Sequence, residues 1–253
     1  MIRIIEAKNE KELGTLAAEQ ILSLIRRKPD AVLGLATGSS PLSLYAALVE
    51  AHKKGEVSFA KVKTVNLDEY VGLAPDHEQS YARFMRDHLF SLVDIDMKNT
   101  HLPDGLAADP VAECRRYDAV VDSMGGVDLQ VLGIGPDGHI GFNEPADTFT
   151  DGTNLAVLAD STIDANARFF ASRDEVPTRA FSMGVGQIMK AKEILMVVLG
   201  TNKADILEEA LFGEVTPHVP ASILQKGENV TVYCDPAAAS VIRAKHPGAV
   251  TLA

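Results

Sequence analysis

The feature that most constrains the fold is a repeated alternation of short apolar runs with longer segments of helical periodicity. The runs at residues 31–36 and 193–199 are aliphatic over nearly their whole length, as expected of strands covered on both faces. Segments 9–27 and 109–124 instead place apolar residues three or four positions apart. This alternation predicts an α/β fold, a single-domain, doubly wound, mainly parallel Rossmann-like sheet flanked by helices, with its active site at the C-terminal strand ends.

The remaining elements follow the same alternation. Apolar runs predict further strands at residues 2–5, 62–67, 128–132, 155–159 and 230–234. Helical spacing predicts helices at residues 42–52, 77–92, 160–170, 183–191, 204–212, 220–225 and 235–245. Asn9 and Asp109 are candidate N-caps of the two long helices, and Pro110 follows the second. No repeat or linker divides the chain, so residues 1–253 are predicted to form one domain.

The acidic composition limits the partners of this protein. With 24 Lys and Arg against 35 Asp and Glu, the formal net charge is −11, which disfavours nucleic acid and anionic membranes. No window reaches the roughly 20 apolar residues of a membrane span, and the N-terminus has no signal-peptide pattern. Cys114 and Cys234 have no companions at metal-ligand spacing, and we expect both to be reduced thiols. These features together predict a cytoplasmic protein.

The stretch VLGIGPDGHIGFNEP, residues 131–145, is the densest chemical signal in the chain. An apolar run breaks here into a glycine-rich turn, which is how α/β sheets present a site at the carboxyl end of a strand. The turn carries Asp137, His139, Asn143 and Glu144. Two carboxylates and an imidazole so close together can perform acid–base chemistry if a pocket holds a substrate beside them.

Three other strand ends carry complementary groups. The turn TGSSP at residues 37–41 joins a strand to a helix, a geometry that binds phosphate but also occurs as a plain connection. Asp68 follows a second strand, where it is either a site carboxylate or an ordinary cap or turn residue. Lys203 follows the strand 193–199, where it either reaches a phosphate or is solvated.

Arg168, in the segment ANARFF, is interpretable either as a packed, ion-paired residue or as an anion clamp. The carboxyl ends of parallel strands meet at one edge of a sheet, so we expect all these groups to converge. The chain lacks a dinucleotide fingerprint, a nucleophile elbow and a His/Cys metal cluster. From the residues alone, a cofactor-free enzyme that acts on a sugar phosphate, with no metal, is the simplest interpretation.

Two motifs carry a family resemblance. At NLDEY, residues 66–70, and GPDGHIGFNEP, residues 135–145, the chain resembles glucosamine-6-phosphate deaminases of the glucosamine/galactosamine-6-phosphate isomerase family. The similarity runs over essentially the whole chain, from LGLATGSSP through ANARFF and VVLGTNKA to PASILQ. The related 6-phosphogluconolactonases share the Asp-Gly-His core but not the Phe-Asn-Glu-Pro that follows it.

The resemblance implies a reaction and a role for each matching residue. Glucosamine 6-phosphate and water would give fructose 6-phosphate and ammonia in amino-sugar catabolism, catalysed by a hydrolase acting on a C–N bond. Asp68 would take the C2 proton and return it to C1, while His139 would open the sugar ring, oriented by Asp137 and Glu144. The matching phosphate-binding positions are Thr37, Gly38, Ser39, Ser40, Arg168 and Lys203. Arg168 would lie on a mobile lid, near residues 150–182.

The chain also departs from its relatives. Its phosphate loop reads TGSSP at residues 37–41, where many relatives have a second glycine and a threonine. Some relatives carry Asn at the position of Asp137, so the charge of Asp137 need not be essential. The segment DGTNLA, residues 151–156, lacks the basic residues of the allosteric N-acetylglucosamine-6-phosphate site. We therefore expect a monomer or small homo-oligomer without allosteric activation.

Two alternative functions stay open. The first is a 6-phosphogluconolactonase-like hydrolase, against which the Phe-Asn-Glu-Pro sequence argues. The second is a non-catalytic sugar-phosphate sensor, which would predict the loss of Asp68 or His139, and both are present.

Overall fold

An eight-stranded, fully parallel sheet forms the centre of the computed structural model, which describes residues 2–253. Its strands are β1 (Ile2–Glu6), β2 (Val32–Leu35), β3 (Lys63–Asn66), β5 (Thr100–His101), β6 (Leu129–Leu132), β9 (Glu193–Val198), β10 (Val230–Cys234) and β11 (Val250–Leu252). A small antiparallel sheet contains β4 (Asp68–Tyr70), β7 (Asn154–Val157) and β8 (Arg179–Ser182). The predicted α/β fold with a mainly parallel sheet is confirmed.

Eight α-helices connect the strands of the described chain. They are α1 (Glu10–Arg27), α2 (Leu42–Lys53), α3 (Tyr81–His88), α4 (Pro110–Ser123), α5 (Asp160–Asn166), α6 (Val185–Met189), α7 (Ala204–Phe212) and α8 (Ser240–Lys245). Short 3₁₀ turns cover Phe90–Leu92, Met97–Asn99, Ala167–Phe169, Arg173–Glu175, Thr201–Lys203 and Pro220–Lys226. Both predicted N-caps are confirmed, because Asn9 accepts from the Glu12 N–H and Asp109 from the N–H groups of Val111 and Ala112.

The strand order β11-β1-β10-β9-β6-β2-β3-β5 contains one reversal of direction. The chain runs from β1 through β2 and β3 to the β5 edge, then returns to β6 and continues to the opposite edge. The reversal makes β2 and β6 neighbours, paired at Gly34 and Gln130. Ligands of open α/β sheets bind in the crevice at such a switch point, so the fold places the loops after β2 and β6 side by side.

The small sheet corrects the prediction of a single sheet. The sequence leaves Asp68 as a site carboxylate or a cap or turn residue past a strand, but residues 68–70 form β4. This strand pairs with β8 and sets Asp68 opposite Ser182. Strand β8 was not predicted, and β7 begins one residue before the predicted range. These strands are three or four residues long and depend on partners far away in sequence, so local pattern carries little information about them.

Several predicted helix limits were wrong for identifiable reasons. Helix α3 begins at Tyr81, because the Ser80 hydroxyl accepts from the Arg83 N–H and fixes the start. The closing helix begins at Ser240, after a turn in which the Asp235 carboxylate accepts from the Ala238 and Gly200 N–H groups. The predicted helix 160–170 ends at Asn166 and continues as a 3₁₀ turn. The short strands β5 and β11 were not predicted.

Two apolar cores stabilise the molecule. The larger one lies on both faces of the parallel sheet and includes most of the β2, β6, β9 and β10 side chains. The second core joins the small sheet to segment 158–176 and contains Tyr70, Phe142, Ala156, Leu158, Ile163, Val176 and Ala180. Both cysteines are free thiols, Cys234 buried and Cys114 partly so. In residues 2–253 no helix is long and apolar enough to cross a membrane, and the cytoplasmic location stays a prediction.

Candidate active site

A pocket of about 200 Å³ opens at the carboxyl ends of β2, β3, β6 and β9. The predicted site residues that line it are Thr37, Gly38, Ser39, Ser40, Asp68, His139, Arg168 and Lys203. Asp137 and Glu144 lie behind the imidazole of His139. The predicted convergence of four strand ends is therefore confirmed, since residues from all four loops border one cavity.

A larger cavity of about 280 Å³ adjoins this pocket. It lies between α3 and the 3₁₀ turn Ala167–Phe169, and its aromatic wall includes Tyr70, Phe84 and Phe170. The two cavities share Tyr81 and Ser39, but neither Asp68 nor His139 reaches the larger one. The acid–base groups therefore place the reaction in the smaller pocket.

Asp68 is the buried carboxylate of the pocket. It is 6% exposed, and its position is fixed by the β4–β8 pairing. Burial, together with the neighbouring charge of Glu69, raises the pKa of Asp68 to about 8. No basic side chain among residues 2–253 forms a salt bridge with it, so nothing offsets the cost of burying its charge. Asp68 can therefore hold or release a proton near neutral pH, as a general base requires.

Glu69 points to the other side of β4 and fixes helix α3. Its carboxylate accepts from the backbone N–H groups of Tyr70, Tyr81 and Ala82, each at 2.9 Å. Two of these are otherwise unpaired N–H groups of the first turn of α3. Burial raises the pKa of Glu69 to about 7, against the effect of these bonds. The contact holds Tyr81 at the pocket wall, where its ring lies 4.8 Å from that of Tyr70.

His139 is held between two carboxylates. Its Nδ1 atom lies 2.7 Å from Asp137 Oδ1 and 3.6 Å from Glu144 Oε2. Burial would raise the pKa of Asp137, but the contact with His139 outweighs it and holds that pKa well below the ordinary range. Burial raises the pKa of Glu144, against a hydrogen bond from Thr162. With Nδ1 facing the carboxylates, Nε2 is the nitrogen left for a substrate.

Two glycines make room for this arrangement. A Cβ on Gly135 would lie 2.2 Å from the His139 ring, so only glycine lets the imidazole fold back over the turn. Gly138 has φ +85°, and a Cβ there would also lie 2.7 Å from Val219. The Asn143 amide fixes the end of the turn by donating to the carbonyls of Ile140 and Met183, both at 2.8 Å.

The other end of the pocket is suited to an anion. The turn at residues 37–40 leads into α2, whose first-turn amides receive no side-chain cap, and Gly38 has φ +90°. Arg168 borders the pocket with its guanidinium 4.6 Å from the Phe169 ring and forms no salt bridge within the described chain. Burial, with a further contribution from Arg168, lowers the pKa of Lys203, while Asp137 acts in the opposite direction. Two nearby cations and free amides match a phosphate group.

Asp137, His139 and Glu144 also form the only group of three His, Cys, Asp or Glu side chains in residues 2–253 that could share a metal ion. Their candidate ligand atoms lie within 4.8 Å of one another. However, the Asp137 carboxylate accepts from the backbone N–H of His139, and the Glu144 carboxylate accepts from the Thr162 hydroxyl. These bonds orient the carboxylates toward the imidazole, which suits proton transfer.

Sequence reasoning missed three residues at the site. Tyr81, which lines the pocket, and Glu69, which accepts from the Tyr81 N–H, were not assigned roles. Thr162, also at the pocket wall, was not singled out. The carboxylate pair at residues 68 and 69 was visible in the sequence, whereas the contact between Thr162 and Glu144 depends on folding.

The family model and the sequence relatives that match this chain belong to the same group of proteins. Residues 6–233 match the family model described as glucosamine-6-phosphate isomerases/6-phosphogluconolactonase. The glucosamine-6-phosphate deaminase of Lachnoclostridium phytofermentans is 51% identical over 92% of this chain and 99% of its own. That of Geobacillus sp. is 49% identical over 95% and 96%.

Solved structures agree with the sequence relatives. A structure described as a monomeric glucosamine-6-phosphate deaminase has a TM-score of 0.92 and 43% identity over 94% of this chain and 99% of its own. The 6-phosphogluconolactonase of Trypanosoma cruzi has a TM-score of 0.77 at 18% identity, covering 95% and 96% of the two chains. At that identity the second likeness concerns the fold alone.

Proposed function

The chain belongs to the family of glucosamine-6-phosphate isomerases and 6-phosphogluconolactonases, and from that premise we propose that it is a glucosamine-6-phosphate deaminase. It converts glucosamine 6-phosphate and water into fructose 6-phosphate and ammonia, in amino-sugar catabolism. The observation that carries the proposal is the pocket itself, which combines buried Asp68, the imidazole of His139 and a phosphate-sized cationic end. Two relatives with 51% and 49% sequence identity are named glucosamine-6-phosphate deaminase.

The phosphate of the substrate occupies the cationic end. Backbone amides at residues 37–40 and the side chains of Ser39 and Ser40 hydrogen-bond it, while Arg168 and Lys203 neutralise its charge. Burial lowers the pKa of Lys203, and a phosphate dianion beside it would favour the charged form of the ammonium. The phosphate thus fixes one end of the sugar and places C1 and C2 near the acid–base groups.

Ring opening is assigned to His139. Its free Nε2 takes the proton of the O1 hydroxyl and delivers it to the ring oxygen as the C1–O5 bond breaks, which gives the open-chain aldehyde. Asp137 and Glu144 hold Nδ1 and stabilise the imidazolium that forms during this transfer. The imidazole begins and ends this step in the same protonation state, so one residue completes it.

Asp68 moves the carbon-bound proton. Its carboxylate takes the C2 proton of the aldehyde while the ammonium group gives one proton to O1, which yields an enol-type intermediate with a neutral amine. Asp68 then returns the C2 proton to C1. The product is an imine at C2, to which water adds before ammonia leaves, so we assign the enzyme to hydrolases acting on C–N bonds. The pKa of about 8 keeps much of free Asp68 protonated at neutral pH. The cationic amino group of the substrate beside it would favour the carboxylate form.

We also propose that the enzyme works without an allosteric activator and as a monomer or small homo-oligomer. Strand β7, with Asn154, Ala156 and Val157, offers no basic side chain for a second phosphorylated sugar. The related structure with a TM-score of 0.92 is described as monomeric. Hyperbolic substrate kinetics that are unchanged by N-acetylglucosamine 6-phosphate are expected, and a sigmoidal curve relieved by that compound would contradict this.

The test of function is a paired assay on the wild-type protein. We expect fructose 6-phosphate and ammonia to appear in equal amounts from glucosamine 6-phosphate. Hydrolysis of 6-phosphogluconolactone should be slower by orders of magnitude, because the Phe-Asn-Glu-Pro sequence at residues 142–145 distinguishes the deaminases from the lactonases. Rapid lactone hydrolysis without ammonia release would favour the alternative hydrolase, and binding of the sugar phosphate without turnover would favour the sensor.

A further inference from the structure

Glu144 is held by two different parts of the molecule. Its Oε2 atom faces His139 Nδ1 at 3.6 Å. Its Oε1 atom accepts from the Thr162 hydroxyl at 2.7 Å and from the Ala159 N–H at 3.4 Å. The carboxylate therefore bridges the catalytic loop and the start of helix α5.

Helix α5 is physically continuous with the phosphate-binding arginine. It ends at Asn166, and the 3₁₀ turn that follows at once carries Arg168. The Arg173 guanidinium bonds Asp160 and Asp164 and so ties the two ends of this segment together. Segment 160–173 can therefore transmit a displacement at one end to the other.

The same segment is packed against the site. Ile163 belongs to the second core with Tyr70 and Phe142, and Phe170 meets Tyr70 edge to face at 5.9 Å. Phe142 directly precedes Asn143 and Glu144 in the catalytic loop. The segment with Arg168 and the loop with Glu144 thus share a packed interface as well as a hydrogen bond.

Thr162 is the polar element of that interface. It is 5% exposed and lines the pocket, and its hydroxyl makes the shortest hydrogen bond to Glu144 in the described chain. Glu144 Oε2 has no hydrogen-bond donor among residues 2–253. The bond at Oε1 therefore decides which way the carboxylate turns toward the imidazole.

We propose that Thr162 is a positioning residue that couples phosphate binding at Arg168 to the orientation of Glu144 beside His139. The inference rests on the proposed function and deepens it. Occupation of the phosphate site would hold α5 in place, and Thr162 would then hold the carboxylate in the geometry needed for ring opening. Binding energy from the phosphate, far from the reacting carbons, would in this way lower the barrier of the chemical step.

Thr162→Val tests the coupling because valine keeps the shape of the side chain and removes only the hydroxyl. We expect kcat for glucosamine 6-phosphate to fall by about 10-fold, less than the roughly 100- to 10,000-fold that general acid–base catalysis contributes as a whole. The inhibition constant of inorganic phosphate should stay unchanged. If Thr162 acts through Glu144, its effect should largely disappear in a Glu144→Gln background. Equal effects in both backgrounds would contradict action through Glu144.

The decisive measurement separates the sugar from the phosphate. Unphosphorylated glucosamine is supplied with and without phosphite dianion, which fills the phosphate site without a covalent link. In the wild type, phosphite should accelerate ammonia release, and in Thr162→Val most of that acceleration should be lost. An equal response to phosphite in the two proteins would overturn the proposal.

A matched control and a binding readout complete the test. Thr153→Val removes another buried threonine hydroxyl, bonded to Gln187 at 3.0 Å, and should leave the phosphite response intact. The imidazole NMR signals of His139, assigned by comparison with His139→Gln, should move less on phosphite addition in Thr162→Val than in the wild type. Unaltered movement contradicts the coupling even if no ammonia is formed, whereas absence of ammonia from the wild type contradicts only the proposed function.

Discussion

Asp68 and Asp137 carry the same carboxyl group around the same imidazole pocket, yet they differ in nearly every physical respect. Asp68 is 6% exposed and has no salt bridge in the described chain, and its pKa is raised to about 8 by burial and by Glu69. The Asp137 side chain is 28% exposed and lies 2.7 Å from His139 Nδ1, which holds its pKa far below the ordinary range despite burial. Carboxyl groups whose pKa values differ in this way can take different roles. Asp68 exchanges a proton, and Asp137 stays charged.

The backbone explains the difference. Asp68 sits in a strand whose partner, β8, lies more than a hundred residues away, so its burial depends on long-range pairing. Asp137 sits in a glycine-rich turn, where its Oδ1 atom also accepts from the N–H of His139 two residues on. The proton-exchanging group therefore depends on the tertiary fold, and the permanently charged group depends mainly on its own turn.

The largest effect is expected from Asp68→Asn. If Asp68 transfers the C2 proton, kcat should fall at least about 1,000-fold, or roughly 4 kcal/mol in the barrier. Binding of inorganic phosphate, measured by calorimetry, should stay unchanged because the cationic end is intact. Retained turnover with altered stability would show that Asp68 is an ordinary buried or capping residue.

The same substitution should stabilise the fold at high pH. Between its ordinary pKa, near 4, and about 8, Asp68 binds more protons folded than unfolded, so its contribution to stability is present below pH 4 and is lost as pH rises through 8. Asparagine never ionises. In urea unfolding, the free energy of unfolding of Asp68→Asn should exceed that of the wild type by on the order of 2 kcal/mol at pH 8.5 and differ little from it at pH 4.

A matched carboxylate should behave in the opposite way. Glu113 is also buried but is paired with Arg116 at 2.6 Å, and this contact lowers its pKa despite burial. Glu113→Gln should therefore destabilise the protein at neutral pH, with the difference shrinking as pH falls through the lowered pKa. If both substitutions changed stability equally at all pH values, the assigned charge states would be wrong.

The contrast between a local turn and a long-range strand pair also explains which parts of the site the sequence predicts. The strands β2, β6 and β9 were predicted because each is an apolar run that can be recognised from its own residues. Asp68 was found as a polar residue after such a run, and residues 137–144 because glycines and acid–base groups are adjacent in sequence. Strand β4 was not predicted, since it exists only through its pairing with β8. The roles of Glu69 and Thr162 depend on partners that no local pattern identifies.

Asp137→Asn should have an intermediate effect. The amide can still accept from the backbone N–H of His139, but the charge that stabilises the imidazolium is lost. We expect kcat to fall by about 10-fold, roughly 1.4 kcal/mol, with KM nearly unchanged. The thermal midpoint should fall modestly at neutral pH, because a carboxylate with a lowered folded-state pKa stabilises the fold while it is charged. A loss as large as that of Asp68→Asn would show that the two carboxylates are not functionally distinct.

Glu69→Gln should give the smallest effect and separates the two causes of the raised Asp68 pKa. Burial is the larger cause of the raised Asp68 pKa, and Glu69 is the only charged side chain among residues 2–253 that adds to it. The other ionisable groups whose pKa responds to Asp68 are the phenols of Tyr45, Tyr70, Tyr81 and Tyr117, all with pKa values raised and so neutral below pH 9. Removing the negative charge lowers the pKa of Asp68.

The rising limb of kcat/KM against pH should accordingly move to lower pH by less than about one unit, since one pKa unit corresponds to about 1.4 kcal/mol. Glutamine can still accept from the Tyr81 N–H through its carbonyl oxygen and loses only the bond from the Ala82 N–H, so Tyr81 should keep its place. Glu113→Gln controls for the loss of a buried carboxylate elsewhere and should leave the limb where it is. A shift of several units would mean that charge repulsion, and not burial, keeps Asp68 protonated, and an upward shift would contradict the electrostatic assignment altogether.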